Sequence, residues 1–190
     1  LPHLVVGDTP TAKDVEALGH QTQPPARYSE ASLVKTLEKE GIGRPSTYAS
    51  IIGTIVDRGY SVLNNNSLTP SFTAFAVTAL LEEHFPDLVD TSFTARMEST
   101  LDEISTGKVN WLPYLKGFYK GDTGLENQVQ QREGDIDGGE FRSVSLEGLS
   151  SLVRLGKYGT YLESKHLGEN GKPITATLPQ EITPADLDEE

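Results

Sequence analysis

Cysteine is absent from the 190 residues, and only one methionine and one tryptophan are present. No disulfide and no thiolate-held metal can therefore form, and the redox compartment stays open. Basic side chains are scarce, 16 Lys and Arg against 28 Asp and Glu, for a formal charge of -12. That balance speaks against a protein that coats duplex DNA by charge, because such proteins carry a basic excess. Long hydrophobic runs are also missing. No stretch of apolar residues reaches the length of a membrane-spanning helix, so no membrane partner is expected. No internal repeat is evident, and the chain opens on Leu1 without a signal-peptide pattern, as a piece excised from something longer would. What remains is 36% hydrophobic and 23% charged, the composition of a soluble globular chain with room for one large domain or two small ones.

The acidity is uneven. Residues 1–60 hold six basic and seven acidic groups, residues 61–121 four and seven, and residues 122–190 six and fourteen. Most of the excess falls in the last third, which suggests separate modules. A boundary near residue 121 is supported by the run from Gly121 to Gly139, rich in Gly, Asp, Asn and Gln and without a sustained apolar period.

Periodicity gives the elements. Leu4-Val5-Val6, stopped by Gly7-Asp8, reads as a strand arriving from elsewhere, and Pro24-Pro25 sets an extended approach. Ser29 can cap a helix over 30–40 that carries Leu33, Val34 and Leu37 on one face and stops at Gly41. Pro45 suits the first turn of a second helix, in which Tyr48, Ile51, Ile52 and Ile55 share a face. The tight connection between them has helix-turn-helix spacing. A hairpin over 60–69 follows as a wing, then helices marked by Phe72 to Leu80, by Phe93 to Ile104, and by Trp111 to Tyr119. Alternating runs at 141–146, 160–162 and 174–178, with a turn at 156–159 and a helical start at Thr183-Pro184, make a small antiparallel sheet. The expected class is α+β: a mainly helical part with a winged-helix-like element, then a small β module.

Chemistry concentrates in Gly41-Ile42-Gly43-Arg44-Pro45-Ser46-Thr47-Tyr48. A helix start offers free N–H groups and partial positive charge, Ser46 and Thr47 add hydroxyls, and Arg44 stands just before them. Such an end suits an anion, and a phosphodiester is the natural candidate. Arg27, Lys35 and Lys39 can line the approach, and residues 27–58 carry five basic against four acidic groups. The plainer use of Ser46 and Thr47 is to cap their own helix, with Arg44 as a solvated turn residue.

The stretch PPARYSEASLVKTLEKEGIGRPSTYASIIGTIVDRGY, residues 24–60, closely resembles the signature of bacterial type IA DNA topoisomerases in the domain flanking their active-site cleft. The resemblance continues through LTPSFTAFAVTALLEEHFPDLVDTSFTARMESTLDEISTGKVNW at 68–111, and LPHLVVGD is similar to the strand leaving the family's gate-forming arch. VRLGKYGTYLE at 153–163 and ATLPQEITPADL at 176–187 resemble its cysteine-free C-terminal repeat. The implied division is a strand or linker over 1–26, a helical strand-binding domain over 27–121 and a C-terminal repeat over 122–190. The implied parent is an ATP-independent isomerase that cuts one DNA strand through a tyrosine, passes the other strand, reseals the break with Mg²⁺, and works in the cytoplasm at the nucleoid. By resemblance, the positions of Arg44, Ser46 and Thr47 contact the backbone of the strand to be cut, and Arg154, Lys157, Tyr158 and Tyr161 hold single-stranded DNA. The implied partners are single-stranded DNA and the remaining domains of the same polypeptide.

Two parts of the family pattern are missing. None of the seven tyrosines stands in the G-x-I-T-Y-x-R context of the family's nucleophile, so the fragment is expected not to cleave DNA. The nearest match to its acidic D-x-D-x-E pattern, Asp135-Ile136-Asp137 with Glu140, lies in a Gly-rich connector and reads as a solvated turn; no cofactor is expected here, because Mg²⁺ demands a fixed octahedral shell. His3, His20, His84 and His166 are scattered without metal-ligand spacing. Trp111, Tyr114, Phe118 and Tyr119 can stack on bases, though their helical spacing favours packing. Two other classes stay in view. One is a winged-helix module reading duplex DNA with its 45–58 helix, for which Ser50, Thr54 and Asp57 form a poor reading set. The other is an interaction module docking through its acidic tail.

Overall fold

The computed structural model describes residues 3, 5–9, 11, 13–139 and 141–187. Val5 to Asp8 form a turn closed by Asp8 N–H on the Val5 carbonyl at 3.1 Å. The expected strand at 4–6 is therefore not formed by Val5 and Val6, and Leu4 lies outside the described residues. Residues 13–29 carry no helix or strand, and Tyr28 ends them by accepting Leu68 N–H at 2.7 Å.

Helix α1 spans Glu30–Glu40, with Ser29 and Ser32 capping each other reciprocally, and ends on Gly41 at φ 73°. There Gly41 and Ile42 N–H groups close on the Glu38 and Leu37 carbonyls, a left-handed cap that favours glycine. Helix α2 spans Tyr48–Asp57, three residues later than Pro45 suggests; residues 45–47 form a hydrogen-bonded turn instead. Strands β1 (Ser61–Asn64) and β2 (Ser67–Pro70) make the wing. Asn65 and Asn66, at φ 47° and 62°, supply the two left-handed residues that a tight hairpin turn requires.

Helices α3 (Phe72–His84), α4 (Pro86–Val89), α5 (Thr91–Ser105) and α6 (Trp111–Lys120) follow. On α6 only part of the aromatic series packs: Phe118 stacks on Phe93 at 6.4 Å, while Trp111 and Tyr119 are exposed rather than in a core. A further helix, α7 (Leu125–Arg132), lies in the run that shows no apolar period. Its only branched apolar pair is Leu125 and Val129, one turn apart, too little to stand out among Gln, Asn and Glu.

The second sheet is antiparallel in the order β3 (Ser143–Val144), β4 (Leu152–Gly156), β5 (Gly159–Leu167), β6 (Pro173–Thr177), and a 3₁₀ turn at Pro184–Asp186 closes the chain. Thr183 and Asp186 cap that turn reciprocally. Hydrogen bonds from Thr183 hold the Asp186 carboxyl below its ordinary range, with a smaller contribution from the charge of Arg27. Phe72 and Ala76 of α3 share one hydrophobic cluster with Val144 and Val153, ringed by Leu146, Leu155, Leu162 and Ile182. The helical part thus runs past residue 121 through α7, the sheet begins only at Ser143, and the packing of α3 on the sheet joins the two.

Candidate nucleic-acid interface

The Gly41–Tyr48 turn is built by backbone demands first. Gly43 sits at φ 77°, and a Cβ there would stand 2.9 Å from Ile51 Cδ1 and 3.2 Å from Thr47 Oγ1, so only glycine fits. The Arg44 carbonyl accepts Thr47 N–H at 2.8 Å and Tyr48 N–H at 3.1 Å. Thr47 Oγ1 accepts Arg44 N–H at 2.9 Å and donates to the Arg44 carbonyl at 3.0 Å. Thr47 is therefore committed to the turn before α2. It stands at the N-cap position but its hydroxyl makes no cap hydrogen bond to the helix, so the capping use expected of it is not what the structure shows. Ser46 is exposed, and neither its N–H nor its hydroxyl has a partner among the described residues. With Pro45 lacking an N–H, Ser46 is the residue between Arg44 and Thr47 whose donors are exposed and unused among the described residues.

Arg44 is held from a distance in sequence. Its Nε and Nη2 donate to Asp102 Oδ2 at 3.2 and 2.8 Å, and Nη1 donates to the Gly43 carbonyl at 2.6 Å and the Gly41 carbonyl at 3.3 Å. Glu98 Oε2 is 3.9 Å from Nη1, and Glu98 Oε1 accepts Gly43 N–H at 3.1 Å. The Asp102 hydrogen bond is the chief cause that raises the Arg44 pKa above its ordinary value, against a desolvation that lowers it, so the side chain stays charged. Glu98 and Asp102 are invisible to local motif reading. They lie on α5, 55 and 58 residues from the groups they bind, and their only sequence signal is two carboxylates one helical turn apart.

The other candidates distribute differently. Lys35 and Lys39 are exposed on α1, Lys39 beside Glu40 at 3.4 Å. Arg27 lines a separate cleft with Phe75, Leu146, Glu147 and Leu187, facing the C-terminal closing turn rather than Arg44. Arg154 is not a free cation: Nε and Nη2 donate to Glu163 Oε1 at 2.9 and 2.8 Å, and Nη1 donates to Ser143 Oγ. Lys157 and Tyr158 form the hairpin tip. Tyr158 is 90% exposed, the Lys157 ammonium lies 5.6 Å from its ring centre, and Tyr161, Thr175 and Thr177 wall an open cavity of about 560 Å³ beside them.

Of the remaining groups, His84 packs edge-on against Phe141 at 5.2 Å, and His3, His20 and His166 are exposed. Asp137 Oδ1 accepts Gly139 N–H at 2.8 Å within a turn, and Glu140 lies outside the described residues. Among the described residues no group of three or more His, Asp or Glu converges as metal ligands would, and no helix is long and apolar enough to cross a membrane.

The hairpin β1–β2 follows α2 as a wing, and α2 is entered through the glycine-built turn that carries Arg44, Thr47 and the exposed Ser46. Residues 1–116 match the family model described as DNA topoisomerase, and the chain belongs to that family. It is similar to DNA topoisomerase 1 of Synechococcus elongatus, 68% identical over 99% of this chain and 21% of that protein. DNA topoisomerase 1 of Mycobacterium tuberculosis is 47% identical over 98% of this chain and 22% of its own length. The solved full-length topoisomerase I of Thermotoga maritima superposes with a TM-score of 0.58 at 32% identity, covering 85% of this chain and 26% of that one. This chain thus spans about a fifth of the curated relatives it matches.

Proposed function

We propose that this chain positions single-stranded DNA within a type IA topoisomerase that relaxes negative supercoils by transient cleavage, strand passage and religation. The carrying observation is the Ser46–Arg44 turn. Ser46, two positions after Arg44 on a glycine-built bend just before α2, is exposed and offers an N–H and a hydroxyl without a partner among the described residues. A phosphate bound there fixes the register of the strand, so that a tyrosine outside this chain meets the scissile bond in line. The chain's own residues supply no cleavage step. Asp135-Ile136-Asp137 reads as a solvated turn, in which Asp137 Oδ1 accepts Gly139 N–H at 2.8 Å, and the Mg²⁺ of the reaction is assigned to the rest of the parent protein. Lys157 and Tyr158 add a second contact by charge and stacking. Because the chain spans about a fifth of its curated relatives, the remaining domains of the same polypeptide are its further partners in this reading.

The wing topology favours one competing reading, a reader of duplex DNA. Its reading face argues against it. Ser50 Oγ donates to the Thr47 carbonyl at 2.8 Å and Thr54 Oγ1 to the Ser50 carbonyl at 2.7 Å, while Asp57 repels phosphate. Fluorescence anisotropy with matched single and duplex strands at low salt separates the two. Preference for the single strand without sequence dependence is expected, and sequence-dependent duplex preference overturns the proposal.

A further inference from the structure

Two carboxylates of α5 meet the Gly41–Tyr48 turn, and their surroundings set them apart. The Glu98 side chain is 24% exposed, and its Oε1 holds Gly43 N–H, so it braces the bend from beneath. The Asp102 side chain is 61% exposed. It touches Arg44 through a single oxygen, Oδ2, on which both Nε and Nη2 converge. That Nε–Nη2 edge is the fork of the guanidinium that binds phosphate with two parallel hydrogen bonds. A strand phosphate and Asp102 therefore need the same two N–H groups. With Glu98 counted, one cation faces two anions here, and an approaching phosphate meets net negative charge.

We propose that Asp102 is a built-in competitor for the DNA phosphate at Arg44, occupying the guanidinium edge until a backbone oxygen displaces it and so limiting how tightly the turn grips a strand. This rests on the phosphate-binding reading of the turn given above. Asp102 is suited to the exchange because water can solvate its carboxylate as it swings away, and because Oδ1 has no partner among the described residues to hold it. Arg44 stays oriented during the exchange through Nη1, which remains on the Gly41 and Gly43 carbonyls. A topoisomerase must release a strand after each cycle, and a displaceable internal anion shortens the residence of that contact.

The test uses this chain and its Arg44→Ala, Asp102→Asn and Arg44→Ala/Asp102→Asn variants, titrated with a labelled oligothymidine strand at several salt concentrations. Asp102→Asn is expected to tighten binding roughly three- to tenfold, the scale of removing one charge at surface dielectric. The slope of log affinity against log salt should steepen by about 0.7, as one more phosphate is neutralised. In the Arg44→Ala background most of the gain should vanish. Unchanged or weaker binding by Asp102→Asn, with Arg44→Ala still weakening binding, overturns the competitor role and leaves Asp102 a brace. No effect of Arg44→Ala overturns the phosphate-binding reading itself. An unchanged melting temperature for Asp102→Asn shows that the fold is intact.

Discussion

Two arginines of this chain each take a carboxylate through Nε and Nη2 onto one oxygen, and they are used in opposite ways. Arg44, in the helical part, meets Asp102 at the edge of a helix, where most of the carboxylate is in water. Arg154, in the sheet, meets Glu163, whose side chain is 21% exposed, and reaches across β4 to Ser143 of β3 as well. The first pair can open at little cost, since exposed ion pairs contribute about 0–1 kcal/mol. The second pair joins β3, β4 and β5, and opening it strands a charge among half-buried side chains. Whether an arginine is free to bind a ligand is thus decided by its partner's solvation and by how many other donors are spent, and residue type says nothing about either.

The same contrast holds for the packing around them. Helix α1 buries no residue and α2 only Ile52, whereas the sheet closes on α3 through Val153, which is 0% exposed. Val153→Ala is the sharpest way to break that contrast. Losing two buried methyl groups at the centre of the cluster is expected to cost about 2.5 kcal/mol. Because Phe72 and Ala76 share the cluster with Val144, thermal unfolding followed by both helix and strand signals should move down together. If the strand signal alone moved, the core would stop at the sheet and the two parts would be independent.

Arg154→Ala tests the arginine contrast directly. Removing the fork leaves Glu163 unpaired and frees Ser143, and a loss of about 2 kcal/mol in stability is expected. Single-strand affinity of the folded variant should stay within twofold or so, since an exposed contact elsewhere is left intact. A drop in affinity at unchanged stability would return Arg154 to the DNA surface.

How far these differences were legible in the sequence follows from what each depends on. Caps and turns are local chemistry, so Ser29, Gly41, the Asn65-Asn66 hairpin and the Thr183 box stand close to where residue type places them. Helix α7 was not legible, because its apolar signal is a single pair. The start of α2 was misplaced, because Pro45 at a first helical turn and Pro45 in a turn preceding a helix look alike until the Arg44 carbonyl is seen collecting both N–H groups. For the candidate site, the turn that carries Arg44, Ser46 and Thr47 is legible as a local feature. The division of labour among them is not, since it is set by Glu98 and Asp102 across the fold. Arg154 looked free for the same reason: Glu163 faces it only through the β4–β5 register, in which Arg154 opposes Tyr161 and Leu152 opposes Glu163.

Tyr158 carries the smallest expected effect and narrows the contrast to the hairpin tip. The two residues between Gly156 and Gly159 are Lys157 and Tyr158, and Gly159 takes the φ of 135° that the reversal demands, which leaves both side chains clear of the sheet. An aromatic ring this exposed contributes almost nothing to folding, so Tyr158→Ala should leave the melting temperature unchanged. If the tip stacks on a base, single-strand affinity should fall by about fivefold, near 1 kcal/mol, the low end for one base–aromatic contact. Tyr158→Phe, which keeps the ring, should bind as the parent chain does. Equal affinity for all three would confine strand contact to the Ser46–Arg44 turn and leave the acidic sheet module without a share in it.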